Sequence, residues 1–387
     1  MDLTQEFDQQ LDTKARQLIT AAREFAGEAV LPASRLAAGA HGWAGATIRT
    51  ACGIGLAGME VPVALGGHGM RYLVRARVAE ELARVDFPFA FALINHHNAA
   101  ARIAAHGTAV AKDRFLPPML AGDSVGCTAM SEPEAGSDFA VITTAASRVT
   151  DGWRLDGAKR WIANAAGADV LLTFAQTNPG KGAAGIACFI ADGRNPGFTR
   201  GPLDPFAAMG AAGIGGFTLS GHHVPDDHVL YPPGEGFAQA MAGVNKARTH
   251  IAAMACGMVA ASLDIALAYA RKRKTFGKSL LEHQGLRWSL ADVATTLEAM
   301  HMFTYRAATL IDQERKEAIL AAAMAKKFAG EQCLPAIAGC MQAMGAVGMG
   351  DDNVLAKHLL AAKAIGFADG TTEMMNERIG ATLAKPA

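Results

Sequence analysis

The chain has no surplus of charge: 36 Lys and Arg stand against 36 Asp and Glu among 387 residues, a formal net charge of zero. That excludes a global field able to recruit nucleic acid or an anionic membrane surface. Metal-finger and redox cysteine spacing is also missing. The six cysteines (Cys52, Cys127, Cys188, Cys256, Cys333 and Cys340) contain no C-x-x-C pair. In a chain this long they read as reduced core residues of a cytoplasmic protein. The start, MDLTQEFDQQLDTKAR, is charged and has no apolar core, so no secretory signal is expected. Repeats and low-complexity tracts are absent. One stretch, Ile251 to Ala270, has the length of a membrane span with Asp264 as its only charge. Nine of its residues are alanine or glycine, too weakly hydrophobic for a lipid-facing helix. A buried bundle helix is expected there, and no membrane span.

What is present is a globular balance, 51% apolar and 19% charged, long enough for two or three packed units. Three textures follow one another. Residues 1–123 read as helices, with Leu11, Ala15, Leu18, Ile19, Ala22 and Phe25 at helical spacing and a charged helix over Val74–Val85. Residues 124–233 read as a β domain: Val170–Phe174, Ile186–Ile190, Phe217–Ser220 and His223–Val224 lie between DG, NPGKG and GRNPG turns. Residues 234–387 return to long Ala-, Leu- and Met-rich helices. The fold class is mainly α with a β middle domain.

Several motifs fail on context. Gly122–Gly126, GDSVG, fits a nucleophile elbow, but a helix precedes it and a strand-like run follows, the reverse of the required order. The two G-x-G-x-x-G matches, Gly53–Gly58 and Gly180–Gly185, follow a helix and fill a turn between strands, so neither is a Rossmann loop. The pairs His96–His97 and His222–His223 lack a third residue at ligand spacing, and no metal is expected. The basic run Arg271–Lys274 has no aromatic platform for nucleic acid.

Four segments remain, far apart in sequence: MSEPEAGSD (Met130–Asp138), RWIANAAGAD (Arg160–Asp169), RKTFGKSLLEHQ (Arg273–Gln284) and FADGTTE (Phe367–Glu373). They match T-E-P-x-A-G-S-D, W-I-T-N, R-x-x-F-G-x-x-x-x-x-x-Q and Y-E-G-T-x-E, in that order. Over essentially its full length the chain resembles the acyl-CoA dehydrogenase family. The resemblance implies an N-terminal helical domain, a central β-barrel or sandwich, a C-terminal four-helix bundle, and FAD as cofactor. It implies α,β-desaturation of an acyl-CoA, a base taking the α proton while the β hydride passes to flavin N5. An electron-transferring flavoprotein as acceptor and a homo-oligomer, a dimer of dimers, are implied as well.

Desaturating a thioester needs a base for the α proton, a hydride acceptor beside the β carbon, and donors on the carbonyl. By resemblance, Thr128, Met130, Ser131 and Ser137 contact FAD, with Ser137 also a candidate for the CoA pantetheine. Trp161 packs beside the flavin, with Ile162 and Ala163 lining it. Arg273 and Phe276 reach a neighbouring subunit's FAD, and Gln342, Gly345 and Ala346 form the matching loop there. His283, Thr371 and Glu373 complete the cofactor set. Gly370 and Arg248 are assigned to the substrate, Arg248 toward the CoA phosphates or adenine. Asn95, His96 and His97 are polar candidates for contact with an unusual acyl group.

The sequence also departs from the family pattern. Asp369 stands where the family has glutamate, and Ala247 where some members carry an alternative base. Asp369 is thus the one carboxylate at a known base position, shorter in reach by about 1.5 Å where reacting atoms must approach to about 3–3.5 Å. Ala163 replaces a threonine beside N5, Ala346 a glycine, and Leu360–Ala361 an Arg–Asp pair. A branched or cyclic acyl group is one expectation. An enoyl-CoA reductase or flavin monooxygenase on the same fold, or a non-catalytic flavin- or acyl-CoA-binding subunit, stays open beside it.

Overall fold

The structure, a computed structural model, describes residues 4–36 and 42–384. The first three residues, part of the charged start, lie outside the described residues. The chain begins with helices α1 (Gln5–Gln9), α2 (Thr13–Phe25), α3 (Leu31–Leu36), α4 (Gly45–Gly53), α5 (Tyr72–Ala83), α6 (Phe87–His106) and α7 (Ala109–Ala121). Strands follow: β1 (Gly126–Ala129), β2 (Ala145–Val149), β3 (Gly152–Ile162), β4 (Val170–Gln176), β5 (Ile186–Asp192), β6 (Phe198–Leu203), β7 (Gly215–Pro225) and β8 (Val229–Tyr231). The remainder is helical apart from one small hairpin: α8 (Gly236–Lys272), α9 (Gln284–Asp312), α10 (Ala318–Met344), α11 (Leu355–Ile365) and α12 (Thr372–Leu383). The expected order of helices, β, then helices is what the chain forms.

By compactness the chain divides into two units. One comprises Met1–Leu31, Tyr72–Ala90 and Val244–Ala387; the other comprises Pro32–Arg71 and Phe91–Gly243. In the first unit the periodic residues of α2 all point inward: Ala15, Leu18, Ile19, Ala22 and Phe25 are buried. Its interior is mostly alanine and other small apolar groups, but it also holds a charged cluster. Arg77 is fully buried on α5, bonded to Asp8 at 2.7 Å and Glu81 at 2.9 Å. Glu80 accepts from His301 at 2.9 Å and from the Tyr305 hydroxyl. Most of the apolar stretch of α8 is buried, 78% of its most hydrophobic window, as expected for a core helix.

The second unit is built on one eight-stranded mixed sheet, order β6-β7-β3-β2-β4-β5-β8, with β1 parallel to β4. Alternation along β4 and β5 sorts residues to two faces. Val170, Leu172, Phe174, Ile186, Cys188 and Ile190 join a core with Ala99, Ile103, Phe115 and Met119 of α6 and α7. Leu171, Ala175, Ala187, Phe189 and Ala191 join the opposite one, with Leu155, Phe217 and Leu219. Because both faces are covered, these strands read as nearly continuous apolar runs, with Thr173 the one polar residue inside them. The expected Phe217–Ser220 and His223–Val224 runs are parts of the single strand β7.

Each unit buries a histidine that burial keeps from protonating. His96 lies in the second unit and His358 in the first, both 0% exposed, and both are pushed down to about 4. A folded-state value below the unfolded one means that the unfolded chain takes up more protons between about pH 6.5 and 4, so stability is full above that window and falls through it. By pH 5 each histidine should cost about 2 kcal/mol. The unfolding midpoint is expected to drop from pH 7 to pH 5, and less so in His96→Gln or His358→Gln; a midpoint flat across that range would contradict the assignment.

Candidate functional site

In the second unit, the Met130–Asp138 segment leaves the end of β1, and α6 aligns that strand. His96 Nδ1 accepts from the Gly126 amide at 2.9 Å, so its Nε2 carries the proton and donates to the Met119 carbonyl at 3.0 Å. Asn95 Oδ1 accepts from the Thr128 amide at 3.2 Å. His97 bonds the Ala57 carbonyl at 2.8 Å and Glu60 at 3.1 Å. All three polar residues considered for substrate contact are thus engaged within the protein. Thr128 Oγ1 is different: it is buried and has no partner among the described residues.

Behind the segment sits a buried ion pair that the sequence reading passed over. Glu132, 2% exposed, accepts from Thr143 N (2.6 Å), Thr143 Oγ1 (2.8 Å), Thr144 N (3.0 Å) and Lys159 Nζ (2.8 Å). Burial pushes its carboxyl upward, but the Lys159 charge and these donors outweigh that and hold it down at about 2. On Lys159 burial prevails over the attraction of Glu132 and lowers it to about 8, which leaves it a cation at neutral pH. Lys159 also donates to the Met130 carbonyl at 3.1 Å, and the Arg160 amide to the Ser131 carbonyl at 3.1 Å. Two successive carbonyls of the segment are therefore fixed from β3. Ser131 is half-buried and Ser137 exposed.

At the end of β3 the chain turns through left-handed residues, Trp161 at φ 59° and Asn164 at φ 65°. Asn164 is fully buried. Its amide donates to the Ala92 carbonyl at 2.8 Å and to Gly126 at 3.3 Å, and its Oδ1 accepts from Trp43 Nε1 at 3.1 Å. The Trp43 ring lies so close to Gly167 that a Cβ there would stand 2.0 Å from it. Ile162 and Ala163 are buried behind the turn, whereas Trp161 is 44% exposed. An unpartnered threonine hydroxyl, a braced polar loop and an accessible indole in one unit fit the edge of a flavin.

In the first unit, Asp369 and Gly370 have φ of 53° and 100° between α11 and α12. Aspartate tolerates the left-handed region better than most residues. At Gly370 a Cβ would meet Met375 Cε at 3.2 Å on a backbone already unfavourable for it. Arg248 Nε donates to the Asp369 carbonyl at 3.4 Å, and Lys326 Nζ to the Gly370 carbonyl. Arg248 is 7% exposed and its Nη1 bonds Asn245 at 2.7 Å. Its guanidinium thus bonds the protein through Nε and Nη1. Burial, with the like charge of Arg378, lowers it to about 10. Lys326, 1% exposed, is lowered to about 8 by burial and by Arg248, against the pull of Asp369 and Glu373. Thr371 caps α12, accepting from the Met374 amide at 3.3 Å, and Glu373 is exposed in its first turn.

The Arg273–Gln284 segment forms a hairpin, β9 (Lys274–Thr275) and β10 (Lys278–Ser279). Its two turn residues, Phe276 and Gly277, have φ of 49° and 83°, the primed turn that suits paired strands. The Phe276 ring at the tip is 97% exposed. His283 braces the hairpin, bonding Thr275 Oγ1 at 3.0 Å and Thr275 O at 3.2 Å. Arg273 is exposed, as are Gln342, Gly345 and Ala346, where Gly345 ends α10 at φ 63°. The structure joins Arg248, Asp369 and Gly370 directly, while the hairpin and the 342–346 loop are presented to the surroundings.

Family models for the acyl-CoA dehydrogenase N-terminal, middle and C-terminal domains match residues 12–123, 127–221 and 234–384. The chain is 32% identical over 360 residues to the human mitochondrial short-chain specific acyl-CoA dehydrogenase, covering 93% of this chain and 87% of that protein. It is 31% identical to the cyclohex-1-ene-1-carbonyl-CoA dehydrogenase of Geobacter metallireducens, covering 86% and 88%. The solved butyryl-CoA dehydrogenase of Megasphaera elsdenii superposes with a TM-score of 0.93 at 28% identity, covering 97% of this chain and 99% of that one.

The buried pair behind the Met130–Asp138 segment gives a direct test. Lys159→Met strands a buried carboxylate, which should destabilise the protein by about 3–5 kcal/mol and weaken FAD retention. The double change Glu132→Gln/Lys159→Met should recover much of that stability. Denaturant unfolding measures both, and a loss below about 1 kcal/mol in the single variant would show a pair of the solvated, surface kind.

Proposed function

Because the chain belongs to the acyl-CoA dehydrogenase family, FAD-dependent oxidoreductases of acyl-CoA thioesters, we propose that it desaturates an acyl-CoA between Cα and Cβ with Asp369 as the base. The observation that carries this reading is Asp369 itself. It is a half-buried carboxylate on a left-handed step, at the family's base position, with the carbonyls of residues 369 and 370 bonded by two buried cations. The alternative base position holds Ala247, which is buried and cannot ionise. FAD, when bound, supplies the acceptor for the hydride leaving Cβ. Asp369 takes the α proton onto its carboxylate, and the electrons of the broken C–H bond form the double bond. Thr128, Met130, Ser131, Ser137, Trp161, Ile162 and Ala163 hold the flavin; Thr371 and Glu373 contribute beside Asp369, and Gly370 meets the substrate. Arg248, bonded to the Asp369 carbonyl, meets the CoA part of the substrate from beside the base loop.

The three domains of this reading are 1–123, 124–233 and 234–387. A branched or cyclic acyl group suits the shortened base, and the Geobacter relative's name supports a cyclic one. The exposed Phe276 tip, with Arg273 and His283, fits a contact with a neighbouring subunit's FAD at its Gln342, Gly345 and Ala346 loop. That reading makes the protein a cytoplasmic dimer of dimers that passes electrons to an electron-transferring flavoprotein. Ala163, a buried methyl in place of a hydroxyl, favours a second reading as enoyl-CoA reductase or monooxygenase. Rapid oxygen consumption by the reduced flavin with product bound would select that reading.

The decisive experiment is anaerobic bleaching of the flavin by straight, branched, cyclic and aromatic acyl-CoA thioesters. One class should reduce the wild type, and Asp369→Asn should slow that reduction by roughly 10²–10⁴-fold or more; an undiminished rate would remove Asp369 from the mechanism. Phe276→Ala should leave apo-protein stability within about 0.5 kcal/mol, as expected at a 97% exposed site, yet weaken FAD retention in equilibrium dialysis. Unchanged retention would count against the shared cofactor site.

A further inference from the structure

Lys326 is the buried charge that the proposed chemistry leaves unexplained. It lies on α10 among alanines, 1% exposed, where an apolar side chain of similar size would cost far less to bury. Its Nζ donates to the Gly370 carbonyl. The charged groups that act on it are Asp369 in the loop, Arg248 on α8 and Glu373 on α12. Two consecutive carbonyls therefore receive donors from two different helices, residue 369 from Arg248 and residue 370 from Lys326. They do so where the backbone passes through φ of 53° and 100°. A left-handed step on a non-glycine residue persists only when its surroundings over-determine it.

We propose that Lys326 is a positioning residue for the base. By bonding the Gly370 carbonyl and placing its charge beside Asp369, it holds the left-handed loop so that the shortened carboxylate stays within reach of the substrate α carbon. This rests on the reading of Asp369 as base. A displacement of about 1 Å at a reacting group costs on the order of 10²-fold in rate, so losing this restraint should act on the proton-transfer step rather than on binding.

The test uses the FAD-loaded enzyme in D₂O without oxygen, following deuterium uptake at the α carbon of the acyl-CoA that best bleaches the wild-type flavin. Lys326→Met should slow both exchange and flavin reduction by roughly 10- to 100-fold. FAD content and the acyl-CoA dissociation constant should change by less than about 3-fold, a loss in kcat rather than KM. Lys326→Arg should restore part of the rate. If Lys326→Met does not fold, Lys326→Gln, which keeps a donor but not the charge, gives the same reading. Wild-type exchange in either variant, or an equal weakening of acyl-CoA and FAD binding, would overturn the proposal. Asp369→Asn run alongside separates the two claims: if it exchanges at the wild-type rate, the base assignment fails, whereas exchange lost there and intact in the Lys326 variants removes only the role of Lys326.

Discussion

A side chain on a left-handed backbone step stays in place only while the peptide groups around it have partners, because such a step costs about 1–3 kcal/mol and would otherwise relax. Six described non-glycine residues have positive φ, and four of them, Trp161, Asn164, Phe276 and Asp369, lie in segments that carry the family motifs. Three of these are held in different ways. Asn164 uses its own amide and carbonyl, bonded to Ala92, Gly126 and Trp43. Phe276 needs only a two-residue turn between short strands. Asp369 depends on charged side chains reaching its loop from two helices. The motif residues are recognisable because the chain must leave regular geometry there, and few residue types tolerate that.

Buried lysines do similar work in both units. Lys159 bonds the Met130 carbonyl beside a carboxylate, and Lys326 bonds the Gly370 carbonyl with Asp369 and Glu373 nearby. A peptide carbonyl and a carboxylate together can hold an ammonium in low dielectric, where either alone would leave it under-solvated. In each case burial still lowers the lysine to about 8. These cations are conditionally stable, and removing their partners should be more disruptive than their small number suggests.

Much of the fold was legible in the sequence. The inward residues of α2 and the apolar runs of β4 and β5 follow from periodicity alone, because burial there is simple and one- or two-sided. Strands β2, β3, β6 and β8 were not read. Residues such as Ser147, Arg148, Arg154 and Asp156 are polar or partly exposed, and β6 contains Gly201 and Pro202, so their strand character comes from ladder partners rather than from their own pattern. Within the site, motif residues could be named but their partners could not. Glu132 stood inside a quoted motif and Lys159 one residue before another. Lys326 did leave a signal, four residues after Ala322 and three before Ala329 on the buried stripe of α10, where a charge demands a reason. For Arg248 the residue type suggested phosphate, while its burial at 7% and its bond to the Asp369 carbonyl are tertiary facts that no local pattern announces.

The proposed assignment of Asp369 as the base, an aspartate where the family pattern has glutamate, can be weighed in the same terms. Aspartate suits a φ of 53° better than glutamate does, so the substitution eases the backbone while shortening the reach by one methylene, about 1.5 Å. A mobile loop could recover that distance by advancing. One whose successive carbonyls are bonded to Arg248 and Lys326 has little freedom to do so. On the proposed function, the distance is then recovered by the acyl group, through a ring or branch that carries its α carbon toward the carboxylate. Tight restraint of the base loop and preference for a bulky acyl group are, on this argument, two expressions of one geometric requirement.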